Sequence, residues 1–529
     1  MAFRSWLRRG LLASALAFSA MAPAVAQDAK PLRVVVNVGL QNLDPIASPS
    51  FVTRNFAYMV YDTLVSLDSK GEVKPQMLQG WQVSDDGLTW TFTLRDGLKW
   101  HDGKPVTAED CVASINRWGN RDSTGRRLLA ATKSLTATGE KTFVLTLAQP
   151  FGLVLDALAK PSVHTPFMMP ARIASSTPPT QAVKEVIGSG PYVFEANRWV
   201  PGERAYFHRF ADYVPRQEPA DGLAGGKVVH IERAELITMT DPATRVAALR
   251  NGEVDYLEYA PIDYLAQFQR DRSLVLSKPS GIAQIMGALA VNHLQPPFDK
   301  LLVRQALQQV IDQGEIVSVH GLPEAMTQKW CQSVYLCGTP LASEAGADAL
   351  RDPSIEKAKA LLKQAGYNNE RVVFLQAADS ALINPMALVV IDRLKKAGFN
   401  VDIQTLDWAT VAQRWLSKEP VERGGWSLTA VVYTGFDMAN PLSNPGIGYN
   451  CTGAAPWLYC DEATTPLLKQ YEAERDPAKR KEIAQQLQVR ALANANFPLT
   501  GQFSSPAVWR AELKNVVDFG FPVLWNISR

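Results

Sequence analysis

Histidine and cysteine are scarce, at six and five in 529 residues. The histidines (101, 164, 208, 230, 293 and 320) stand singly, with no H-E-x-x-H pair to seat a catalytic zinc. A phosphate-binding loop is also missing, because Gly225-Gly226-Lys227 lacks the leading spacing and the closing Ser or Thr. Gly188-Ser189-Gly190 is too short for a nucleophile elbow and reads as a tight turn into a strand at Tyr192–Phe194. Paired carboxylates such as Asp85-Asp86 and Asp461-Glu462 fall in turns and caps, where solvated surface is the expected role. These gaps point away from an enzyme. No catalytic residue, metal ligand or cofactor is expected.

An excess of one charge is missing too: 54 Lys and Arg face 52 Asp and Glu. Nothing in that balance asks for nucleic acid or an anionic membrane surface. Long apolar runs are confined to the start. Arg4, Arg8 and Arg9 precede an apolar run from Leu11 to Met21 that ends in Ala24-Val25-Ala26. That is a secretory leader over 1–26 with an A-x-A cleavage site, giving a mature start at Gln27. The run is too short to span a bilayer comfortably. Arg8-Arg9 gives a faint twin-arginine look, but a general secretory leader fits better. No Cys at the cleavage point offers a lipid anchor.

All five cysteines then lie in a chain exported to a compartment where disulfides persist. Cys331 with Cys337 and Cys451 with Cys460 sit in Gly/Pro-rich loops, which suits two local bridges. Zinc is the rival reading, although CxxC spacing and a nearby His are missing. Cys111 is left over as a buried free thiol.

What is present is long enough for two or three α/β domains. From Leu88 to Trp118 the chain reads LTWTFTLRDGLKWHDGKPVTAEDCVASINRW. Trp90, Phe92 and Leu94 alternate with threonines, as in a half-buried strand. Asp96-Gly97 and Asp102-Gly103 mark turns. Thr107 and Asp110 have the spacing of a capping box for a helix whose apolar stripe is Cys111, Ile115 and Trp118. Further helices are expected from Phe56 to Leu67, from Asp299 (as cap) to Asp312, from Ile355 to Ala365, from Leu388 to Lys396, and as one stretch from Tyr471 to Asn494. Strands are expected over Leu32–Val38, Val401–Thr405 and Ala430–Val432, the last running into a loop dense in Gly, Pro, Asn and aromatics.

The string Leu94-Arg95-x-Gly97-x-x-Trp100-x-Asp102-Gly103-x-Pro105-x-Thr107-Ala108-x-Asp110, with Ser114 and Arg117, resembles the signature of the family 5 extracytoplasmic solute-binding proteins of ABC importers. Leu43-Asp44-Pro45, Tyr61-Asp62-x-Leu64-Val65, Gly188-Ser189-Gly190-Pro191-Tyr192, Asn251-Gly252-Glu253-Val254-Asp255 and Val303-Arg304-Gln305-Ala306 are similar to further family landmarks. The resemblance implies a periplasmic-binding-protein-like two-lobed α/β fold (type II, cluster C) with an extra α/β insert domain in the first lobe. Residues 27–58, 188–280 and 500–529 would form lobe I, 59–187 the insert and 281–499 lobe II.

It implies equally a periplasmic receptor, monomeric, that binds a di- or oligopeptide between its lobes and delivers it to an inner-membrane permease. The ligand contacts it implies are Gly39, Leu40, Gln41 and Asn42 after the first strand, the aromatic Trp408, and Val432, Tyr433, Thr434 and Phe436 on the strand and loop that follow. Asp437, four residues before Pro441, stands at the position that holds a peptide's α-amino group, with a turn carboxylate or contact with another polar ligand as alternatives. Trp426 and Trp457 are candidates for further lining. The chain departs from the family where Asn440 replaces an Asp before proline and Tyr433 a Trp. Those departures keep a second ligand class open: an opine, a sugar, or a nickel or haem complex.

Overall fold

The computed structural model describes residues 30–328, 330–447, 451 and 455–529. The leader expected at 1–26 lies outside the described residues.

The run Leu32–Val36 is apolar apart from the half-buried Arg33 because it is central to a sheet covered on both faces. Leu32, Val34 and Val36 enter the main core, while Val35 points into a second cluster with Ile237, Leu257 and Val508. The seven strands run in the order Leu274–Leu276, Val508–Arg510, Tyr256–Leu257, Leu32–Val36, Arg233–Thr238, Arg204–Arg209, Tyr192–Phe194. Leu32–Val36 is parallel to both neighbours, and the outer pairings are antiparallel.

A second sheet of six strands has the order Thr327–Gln328, Leu499–Phe503, Ile285–Val291, Leu428–Thr434, Arg371–Ala377, Asn400–Leu406. These two sheets carry the two lobes. A third, four-stranded antiparallel sheet runs Leu78–Val83, Thr89–Leu94, Thr142–Leu147, Thr132–Ala137, with the helix Ala108–Gly119 packed against it. Two of the expected boundaries cut elements. That at 58/59 falls inside the helix Phe51–Val60, and that at 499/500 inside Leu499–Phe503, which pairs with Ile285–Ala288 and so lies wholly in the second sheet.

The stretch from Leu88 to Trp118 folds as a packing unit. Thr107 and Asp110 close the capping box, and Asp110 also accepts from Trp100 Nε1 and Ala171 N. Arg117, 4% exposed, forks onto Asp44 of Leu43-Asp44-Pro45 at 3.2 and 2.6 Å. Asp44 is also held by the amides of Ile46, Ala47 and Val183. Two motifs 73 residues apart are therefore one buried ion pair tying the helix Ala108–Gly119 to the segment that follows Leu32–Val36. Lys227 likewise meets Asp62 at 2.7 Å, with both side chains buried. Gly188 and Gly190 press against the backbone of Met59, Val60 and Tyr61, where a Cβ has no room. His101 accepts this turn as a neighbour, bonding Gly190 O and packing on Phe210.

Three helix expectations are corrected. The helix expected from Phe56 to Leu67 is Phe51–Val60, because Val65–Leu67 pairs as a strand with Val73–Pro75. Asp299 caps nothing; the helix is Leu301–Val310 behind Lys300. The stretch from Tyr471 to Asn494 breaks into Thr464–Ala473 and Pro477–Ala493, since Asp476 caps the second helix with Pro477 in its first turn.

The sulfurs of Cys331–Cys337 and Cys451–Cys460 are bonded, with Cα–Cα distances of 5.7 and 4.2 Å, and Cys111 is a buried free thiol. The chain crosses between the two large sheets twice, near 277–284 and 504–507. The crossings run side by side: Ser277 exchanges bonds with Ala507, and Ser504 Oγ donates to Pro279 O at 2.6 Å. Among the described residues no helix is long and apolar enough to cross a membrane.

Candidate functional site

The strand Leu428–Thr434 is buried through Val431 and half-buried from Val432 to Thr434. Along its full length it pairs antiparallel with Ile285–Val291. On its other side it pairs with Arg371–Ala377 only at Leu428 and Thr429. From Ala430 to Thr434 that edge has no strand partner among the described residues. Backbone N–H and C=O groups are left there with hydrogen-bonding capacity.

Thr434 ends the strand and caps the short helix Gly435–Met438. Its hydroxyl accepts from Asp437 N and donates to Asp437 Oδ2 at 2.6 Å. Ser162, distant in sequence, donates to the same oxygen at 3.1 Å. Neither hydroxyl takes Oδ1, so the carboxylate keeps acceptor capacity on that side. Gly435 N bonds Gln284 O, and a Cβ on Gly435 would stand 2.5 Å from Ile282 O. The turn that carries Asp437 is thus fastened to one of the two crossing segments.

Asn440 accepts from Leu442 N at 2.9 Å. That turn needs an acceptor and no charge, so Asn serves there as Asp would. Tyr433 meets Phe497 edge-on at 5.5 Å. Phe497 neighbours Trp457, Trp457 neighbours Trp415, and Trp415 neighbours Trp408, with centroids 5.5 to 6.5 Å apart. An aromatic series therefore links Trp408 to Tyr433. Trp415 could have been read from its spacing seven residues after Trp408; nothing in the sequence marked Phe497. Trp426 does not belong to the series. It is fully buried, with Nε1 donating to Ser417 O, and is core.

After the first strand, Gly39 passes so close to Gly202 that a Cβ would sit 2.2 Å from its carbonyl oxygen. Leu40 is buried and its carbonyl accepts from Gly202 N. Asn42 is engaged locally, through Asp44 N on its side chain and the Thr53 hydroxyl on its carbonyl. Of these four, Gln41 is the one with an exposed side chain.

Thr53 is followed by Arg54, which the sequence reading passed over. The Arg54 guanidinium lies 4.0 Å above Phe521 and 4.9 Å from the Phe51 ring. Its Nε and Nη2 both donate to Asn55 Oδ1, and Asn55 Nδ2 donates to Glu258 Oε1 at 2.7 Å. Burial lowers the Arg54 pKa and raises that of Glu258, while Tyr259, Tyr58, Glu258 and Asp437 lie near enough to favour the Arg54 charge.

Phe436 lines a cavity of about 660 Å³ walled by residues 67–73 and 156–161 on one side and by 338–341, 439–443 and 477–481 on the other. Asn440 and Pro161 also line it, as do Lys160, Asp156 and Arg480, with the last two 3.4 Å apart. Among the described residues no group of three or more His, Cys, Asp or Glu side chains could hold a metal.

Residues 72–455 match the model of the bacterial extracellular solute-binding proteins, family 5 (middle). The chain is 34% identical over 542 residues, 99% of each chain, to a probable peptide ABC transporter periplasmic-binding protein, y4tO, of Sinorhizobium fredii. Among solved structures it resembles AgaA of A. tumefaciens R10 in complex with agropinic acid, with a TM-score of 0.76, 24% identity, and 94% and 98% of the two chains covered. It also resembles DppA of Helicobacter pylori in complex with the peptide STSA, with a TM-score of 0.74, 19% identity, and 94% and 98% covered. The chain belongs to the family 5 bacterial solute-binding proteins, the periplasmic receptors of ABC importers, and has their two-lobed α/β fold.

Proposed function

We propose that the protein binds di- and oligopeptides between its lobes and delivers them to an inner-membrane permease. The observation that carries this is the open edge from Ala430 to Thr434 ending on Asp437. An extended peptide supplies the ladder bonds that Arg371–Ala377 stops making, so it adds one strand to the second sheet. Its α-ammonium then meets Asp437 Oδ1 as a charge-assisted bond. Val432, Tyr433, Thr434 and Phe436 flank the peptide, and the series from Trp408 to Tyr433 gives area that tolerates varied side chains. Gly39 to Asn42 approach from the first lobe, with Gln41 as the side chain that reaches the ligand.

The lobes are the three-segment and single-segment units expected from the sequence, adjusted at Val60 and Phe503, and they close by rotation about the two crossing segments. The protein acts as a monomer, exported by a leader cleaved after residue 26. The name of the Sinorhizobium relative supports a peptide ligand. A non-peptide solute is the second reading, favoured by the likeness to a structure holding agropinic acid.

Native mass spectrometry of protein purified from a periplasmic extract tests this, with gentle denaturation to release what is bound. A mixture of short peptides is expected, and Asp437→Ala should lose it. A single defined non-peptide compound overturns the peptide reading and leaves the receptor standing.

A further inference from the structure

Four cations are buried among the described residues: Arg54, Arg117, Lys227 and Arg304. Arg117 and Lys227 each meet a carboxylate. Arg304 gives its protons to three backbone carbonyls, those of Phe298, Asp299 and Asn494. Arg54 differs from all three. It is 4% exposed, it makes no ion pair with a described residue, and both of its hydrogen bonds end on one neutral oxygen, Asn55 Oδ1. No described acceptor takes a proton of Nη1.

The groups that face Arg54 explain why the charge survives there without fixing it. Phe521 and Phe51 offer their ring faces, and Tyr58 and Tyr259 their phenols. Glu258 is reached only through Asn55, which spends its own amide on it. Asp437 is reached through two rings, since Arg54 lies 4.0 Å over Phe521 and Phe521 lies 6.2 Å from Phe436, the neighbour of Asp437, whose Oδ2 is already given to Thr434 and Ser162. The Nε side of the guanidinium is turned to Asn55, and its Nη1/Nη2 end is left to take a carboxylate through two parallel bonds. The outcome is a cation and an anion near one another at the lobe junction, each holding unused capacity.

The geometry points to Arg54 as a ligand-binding residue that receives a second, anionic group close to the ligand's ammonium. This rests on the peptide reading and narrows it. Peptides whose amino end also carries a carboxylate, on an acidic first side chain or a γ-glutamyl head, engage Asp437 and Arg54 together.

Isothermal titration with Glu-Ala-Ala and Gln-Ala-Ala tests it, because the two probes differ only in that charge. The wild type should bind Glu-Ala-Ala about 10- to 100-fold more tightly, the range of a charge-assisted bond. In Arg54→Gln the ratio should fall towards 1, and Arg54→Lys should restore part of it. Equal affinities in the wild type, with both probes bound, overturn the role of Arg54 and leave the peptide reading intact. A variant that weakens both probes equally, keeping the ratio, also overturns it and makes Arg54 structural. If neither probe binds the wild type, the peptide reading fails and takes this inference with it.

Discussion

Asp44 and Arg117 show how a motif can be specific without touching ligand. Both stand in strings that resemble landmarks of the family, and they meet each other in a dry ion pair. Asp44→Asn keeps the shape and leaves the guanidinium without its counter-charge. It should lower unfolding free energy by about 3–5 kcal/mol, read from urea denaturation, with affinity of the remaining folded protein unchanged. Asp437 is singled out in the sequence by its spacing before Pro441. Arg54 is not: nothing in Phe51-Val-Thr-Arg54-Asn55 says that the cation is buried, and its isolation depends on residues more than 200 positions away, such as Glu258. Asn440 was legible as a departure, yet its meaning came only from the Leu442 amide it accepts.

Among elements, those with local signals were readable. The Thr107 capping box and the alternating strand at Trp90 to Leu94 both depend on neighbours in sequence. The strand at Val65–Leu67 looked helical because its partner Val73–Pro75 decides its state. The break before Pro477 carried a local signal, an Asp-Pro pair, that helix-forming composition on both sides obscured. The disulfide loop is an element held three ways. Gln313 brackets Cys331 with bonds to its N–H and C=O, and Gln502 does the same for Cys337. Replacing both Cys331 and Cys337 by Ser should cost about 2 kcal/mol by the loop-closure estimate, seen as a lower urea midpoint that reductant no longer shifts at this bridge. The glutamine brackets should keep the loop's place in the folded state, so ligand retention should persist.

At the scale of the whole molecule, stability should depend on acidity through buried histidines. His320 is fully buried against the ring of Phe503, and burial pushes its pKa down to about 4. Burial also lowers His101 and His164 to about 4 and His293 to about 3. The unfolded chain binds these protons near pH 6.5, so their contribution is complete above that pH and is lost as pH falls towards 4. His320 alone should cost about 2 kcal/mol at pH 5. Thermal melts at pH 7.5 and 5 should show the loss, and His320→Leu should remove its share of the slope. The first sheet has a consequence of another kind. Its central strand Leu32–Val36 waits for Arg233–Thr238 and Tyr256–Leu257, and the latter waits for Val508–Arg510. A chain emerging in order from the ribosome therefore has the strand Leu32–Val36 in hand early and cannot seal that sheet until Val508–Arg510 arrives. Up to that moment the first sheet stays open beside Tyr256–Leu257, while the four-stranded sheet, drawn wholly from Leu78 to Leu147, can already have closed.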